Sequence, residues 1–246
     1  MADTVSNLLN QPTDIQELAV TLSAQNLSPT MLSVDNLRAL AIIPADWELA
    51  KQPVLNQLQA RLSFKNGLNI IAQQRSITFA ESLTPENQET LQSVKVAKAF
   101  MAKFAQAGYQ TVSIAPKIIA SFGNNQDRNP RQFIVENLIA QGPWRDVGNE
   151  LPQASVNFVY QLDQCQLNLT VNEVRLRTQN EPNQSIPALL FSGSFNYRPH
   201  SGELISQLQA QIDRWSENLE TFREIVHQKF LGKMEGGIFP SQVMPN

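Results

Sequence analysis

The sequence predicts an α+β protein in which antiparallel strand meanders are each followed by a long helix. Three observations predict it. Apolar and polar residues alternate at Leu58, Ala60, Leu62 and Phe64, and again at Val156, Phe158, Tyr160 and Leu162. That two-residue period gives a strand one dry face and one wet face. Turn residues punctuate these runs, so neighbouring strands can return antiparallel. Two later stretches, near 84–107 and 203–231, change to the spacing of amphipathic helices.

The first half follows in order. After a weakly patterned polar start at 1–12, Leu18, Val20 and Leu22 mark a strand within Ile15–Leu27, closed by Pro29. Leu32, Val34, Leu37 and Leu40 suit a short helix, with Ser33 and Asp35 at its start. At Ile42–Leu49, Pro44 holds a turn, Asp46 suits a cap and Trp47 a buried anchor. The meander runs from Leu58 to Phe64, turns at Asn66-Gly67, returns through Leu68, Ile70 and Ala72, and ends with Ile77 and Phe79. Thr84-Pro85-Glu86 carries the hydroxyl, proline and acid of a helix start. Leu91, Val94, Ala97, Met101 and Phe104 form the expected buried face, and Gly108 the left-handed end. Tyr109–Phe122 reads as a strand whose ladder Pro116 interrupts. A polar loop at 123–129 leads to a short helix with Phe133, Ile134, Leu138 and Ile139.

Two glycines and two prolines between 142 and 152 mark a linker. It divides a sheet-plus-helix half at 1–141 from another at 153–246. In the second half, Val156–Leu162, Leu167–Leu176 and Ala188–Tyr197 read as three strands, with Gly193 marking a bulge or a close backbone approach. Three strands and a helix thus occur twice. A pseudo-duplication is expected on topology, with helices covering one sheet face.

The last helix, Glu203–Leu231, carries Leu208, Ile212, Trp215, Leu219, Phe222 and Val226 at steps of four and three. Such a seam packs along something straight, and the helix would run about 40 Å. The six residues are therefore the expected contact with a second copy or another protein.

Composition narrows the function classes. Charged residues are 17 % of the 246, the net charge is −3, and no run of Lys or Arg appears, so nucleic acid is not an expected partner. Gln and Asn supply most of the polar surface. One cysteine, Cys165, leaves no intrachain disulfide. No 18-residue apolar run exists, and Met1–Asn10 does not read as a secretory signal. No membrane insertion and a cytoplasmic location are the expectations. Phosphate-cradling glycine motifs, zinc-ligand spacings and nucleophile elbows are missing, so neither cofactor nor metal is expected.

Association without catalysis is the leading expectation: an interaction or assembly protein that self-associates through sheet edges or the C-terminal helix. The alternative is a small-molecule binder or enzyme with a pocket between sheet and long helix. Its polar groups would be Arg175 and Arg177, which share a strand face with Glu173, and His200, in a loop before the helix. Ile43-Pro44-Ala45-Asp46-Trp47-Glu48-Leu49-Ala50, together with Phe64-Lys65-Asn66-Gly67, is similar to segments of a group of uncharacterised bacterial proteins. The resemblance implies a bacterial cytosolic protein and carries over no site residue.

Overall fold

A computed structural model describes residues 14–87, 89–121, 129–177, 185–199 and 204–233. Nine strands form one sheet: β1 (Asp14–Ala24), β2 (Val54–Leu55), β3 (Gln59–Ser63), β4 (Asn69–Gln73), β5 (Ser76–Ser82), β6 (Tyr109–Ser121), β7 (Ser155–Gln161), β8 (Gln166–Arg177) and β9 (Ser185–Tyr197). Their order is β2-β3-β4-β5-β1-β6-β9-β8-β7, with every neighbouring pair antiparallel. Five helices accompany it among the described residues: α1 (Val34–Ala39), α2 (Gln92–Lys103), α3 (Pro130–Phe133), α4 (Leu204–Asp213) and α5 (Trp215–Glu224). None is long and apolar enough to cross a membrane.

Alternation builds the core. Leu18, Val20 and Leu22 of β1 are fully buried. Val20 lies between Phe79 of β5 and Ile114 of β6, and Ile114 lies beside Phe195 of β9. The alternate residues form polar cross-strand pairs: Thr21 with Thr78, Ser113 with Ser194, and Lys117 with Glu17. The strands read from sequence are all present, and the β3–β4 turn is pinned by Gly67 at φ 91° and by Asn66, whose side chain accepts from Leu68 N–H.

Four expectations are corrected. Thr84-Pro85 opens a turn closed on Asn87, and α2 begins only at Gln92. The helix has no capping side chain of its own. Glu81 of β5, 3 % exposed, supplies one from across the chain, its Oε2 accepting Ser93 N–H at 2.9 Å. The buried face of α2 centres on Phe100, whose ring lies 5.7 Å from that of Phe79, whereas Phe104 is half-buried.

Pro116 interrupts its ladder as expected and does so without ending the strand. It pairs with Leu18 on the β1 side, while the ladder to β9 steps from Ile114↔Phe195 to Lys117↔Ser192. The missing N–H is absorbed by that gap, so a central strand tolerates it.

Gly193 makes no bulge, since its register with Leu169 continues unbroken. Its missing side chain admits the ring of Phe222. The closely approaching group is thus an aromatic ring.

The helix expected over Glu203–Leu231 is broken. Arg214 (φ −83°, ψ 12°) separates α4 from α5, its N–H bonding three residues back to Gln211. A π-helical turn over Ile225–Phe230 follows. A straight rod follows a twisted sheet poorly over such a length. Trp47 is half-buried and not a deep anchor, its ring edge-on to Phe64 at 5.6 Å.

Candidate functional site

The two edges of the sheet differ. On one side, the outer rim of β3 is taken up by residues 48–56. Lys65 N–H donates to Glu48, Ala50 N–H to Ser63 and Asn56 N–H to Gln59, and Val54 and Leu55 pair with Arg61 and Ala60. What remains outermost is β2, two residues long and preceded by Lys51 and Pro53. Short length, a lysine and a proline are the usual means of blunting a sheet edge.

The other edge, β7, has none of these. Ser155-Val-Asn-Phe-Val-Tyr-Gln161 is uncharged, free of proline and rich in residues that favour strands. All seven residues pair with β8, from Ser155↔Asn172 to Gln161↔Gln166. Among the described residues no second strand pairs with it. The π-helical turn at Ile134–Leu138 touches β7 without adding to the ladder. The row of backbone N–H and C=O groups along its outer rim has no strand partner among the described residues.

Its side chains carry the sheet's apolar side out to the rim. Val156, Phe158 and Tyr160 stand beside Val171, Leu169 and Leu167, which are fully buried. Beyond β8 the cover thins: Val156 and Phe158 are half-buried and Tyr160 is 37 % exposed. Phe158 is held in place, edge-on to Phe230 at 5.4 Å and stacked on Tyr160 at 6.0 Å. On the reverse side Val159 is 57 % exposed. Sequence reading found this strand but not its place at the edge. The signal available was its uncharged composition.

A second feature lies past the end of this edge. A cavity of about 950 Å³ is lined by the β7–β8 turn, the end of β9 and α4. Gln161, Gln164, Gln166 and Gln211 line it with hydrogen-bonding amides, beside Asp163 and Arg198. Within it, Cys165 is buried beside Tyr197, whose hydroxyl donates to Asn218 Oδ1 at 2.8 Å. Burial pushes the Cys165 thiol up, against a smaller opposing pull from Tyr197 and Arg214. Burial likewise pushes the Tyr197 hydroxyl up to about 12. Both groups thus keep their protons at neutral pH, which suits structure better than nucleophilic work. No group of three potential metal ligands occurs among the described residues.

Of the residues of the pocket alternative, Arg175 lies away from this cavity. Arg175 is exposed at the far end of β8, paired in register with Pro187 and reaching Ser185 Oγ at 3.5 Å. Nine residues of strand separate it from Gln166 at the cavity, roughly 30 Å of extended chain. Arg177 pairs in register with Ser185 at the same far end. Their strand neighbour Glu173 is held by Arg131 of α3 at 3.0 Å. His200 and the loop at 123–128 lie outside the described residues.

The seam of the C-terminal helices faces inward. Leu208, Ile212, Leu219, Phe222 and Val226 are 0–4 % exposed, and Trp215 is half-buried. Their surface is occupied by the protein's own core.

Comparison with protein-family models and with curated proteins finds no match for this chain.

Proposed function

We propose that this is a non-enzymatic assembly protein that associates with itself through the sheet edge formed by β7. The carrying observation is the contrast between the rims: β3 is sealed by residues 48–56, while β7 keeps a seven-residue, uncharged, half-covered edge. Unprotected edges of this kind recruit a further strand. The buried helical seam leaves the edge as the better contact, because residues already inside the core have no area left to offer.

The reading includes a duplicated plan, with halves at 1–141 and 153–246 joined through 142–152. Supporting it, each half carries a three-stranded meander followed by helix: β3–β5 with α2, and β7–β9 with α4–α5. The sheet order 3-4-5-1-6-9-8-7 reads as two meanders flanking the central pair β1 and β6. It also includes helices on one sheet face. Phe79, Gly193 and Phe191, linked through the register as neighbours of one parity, meet Phe100, Phe222 and Phe230 respectively. On this plan β3 and β7 are equivalent rims, and only one has been closed.

Sedimentation equilibrium over a range of concentrations tests the association. The purified chain is expected to exceed its monomer mass of 27.5 kDa, and Val159→Lys, which alters an exposed rim position, to return it to monomer with unchanged circular dichroism. A wild-type chain that stays monomeric at every concentration would contradict the proposal.

A further inference from the structure

We infer that the strand docking on β7 is β7 of a second copy, antiparallel and centred on Phe158, so that two nine-stranded sheets fuse into one. The inference rests on the edge reading above and adds to it the partner strand, its direction and its register.

Three observations carry it. The first is charge. Two identical strands brought side by side repel if they carry charges, and Ser155–Gln161 carries no Asp, Glu, Lys, Arg or His. The second is parity. Centred on Phe158, the pairing sets Val156 against Tyr160 of the other copy, Phe158 against itself, Asn157 against Val159 and Ser155 against Gln161. The half-covered row of Val156, Phe158 and Tyr160 then meets the same row, and the apolar side of one sheet continues into the other. A slip of one residue would put Asn157 and Gln161 into that row. A slip of two keeps the sides matched but leaves strand ends unpaired, so only the Phe158 centre uses all seven residues. The third is closure. Antiparallel pairing of one strand with itself is a two-fold contact that consumes the open edge of both copies. The opposite rim, blunted at β2, adds no further copy. The assembly stops at two.

The register can be read by cross-linking. In a Cys165→Ser background, chains carrying Asn157→Cys are mixed with chains carrying Val159→Cys and oxidised mildly. Residues directly opposite in an antiparallel pair lie about 4.5–5.5 Å apart at Cα, within disulfide reach, while diagonal neighbours are about 7–8 Å apart. The mixture is expected to yield a covalent dimer, at least about tenfold more than either variant oxidised alone. Cross-linking of one variant with itself, but not in the mixture, would overturn the register. A chain that still sediments above monomer mass and loses this with Val159→Lys, yet gives no cross-link in the mixture, would overturn the inference and leave the edge reading standing. A chain that is monomeric throughout would remove both.

Discussion

Gly193 lies under the ring of Phe222 so closely that a Cβ at position 193 would stand 2.5 Å from Phe222 Cε2. The contact joins β9 to α5 at a fully buried point. A methyl group there must push the ring off its site, and overpacking of this kind costs about 1–3 kcal/mol. Gly193→Ala is expected to destabilise the fold by that amount, lowering the urea midpoint while leaving the dependence on denaturant unchanged.

Glu81 presents a second long-range dependence. Its carboxylate holds Ser93 N–H with one oxygen and the Asn87 side chain with the other, both from a position closed to water. Removing it leaves the first turn of α2 without its acceptor. Glu81→Ala should cost about 1–3 kcal/mol, and amide exchange at Ser93 should rise by more than at Phe100.

Stability should fall in alkali. Cys165, Tyr109 and Tyr197 all have their proton-bearing forms favoured by burial in the fold. Above the pH at which the unfolded chain loses these protons, the native state still binds them, so each pH unit weakens folding by up to about 1.4 kcal/mol per retained proton. The contribution is complete below about pH 8, where both states are protonated, and is lost as pH rises toward 12. Urea midpoints measured from neutral pH upward should decline. Tyr197→Phe should flatten the fall above about pH 10 while lowering stability at neutral pH, because Asn218 Oδ1 loses its donor.

The helical seam should behave as core. Ile212 is fully buried, and Ile212→Ala is expected to cost about 2–5 kcal/mol. At a temperature where the variant stays folded, its association should match the wild type. A variant that folded normally but dissociated would return the contact to the helix.

The strands were legible because alternation is a local property: Leu18, Val20 and Leu22, or Leu167 and Leu169, announce a dry face without reference to any neighbour. The short helix at Val34–Ala39 was legible for the same reason, since Ser33 caps it from within the sequence by accepting Asn36 N–H. Errors arose where a distant group decides. The start of α2 depends on Glu81, and Thr84-Pro85-Glu86, though suited to a helix, is drawn into a turn by Asn87. The continuity of the last helix depends on Arg214, whose side chain engages Gln164 and Glu217 while its backbone tightens. The four-three spacing survives such a break, so it could not reveal one. The ladder interruption at Pro116 was legible, because a missing N–H belongs to the residue itself. The candidate site was the least legible. It rests on a backbone rim with no strand partner among the described residues, and which strand stands outermost follows from the order of all nine.

Amide hydrogen exchange along Val156–Tyr160, followed as protein concentration rises, tests the edge contact most directly. Amides of β7 that point away from β8 have no strand partner among the described residues, and exchange there reports any strand that covers them. Protection that grows with concentration and disappears with Val159→Lys is the predicted result. Rapid exchange of those outward amides at every concentration would contradict it.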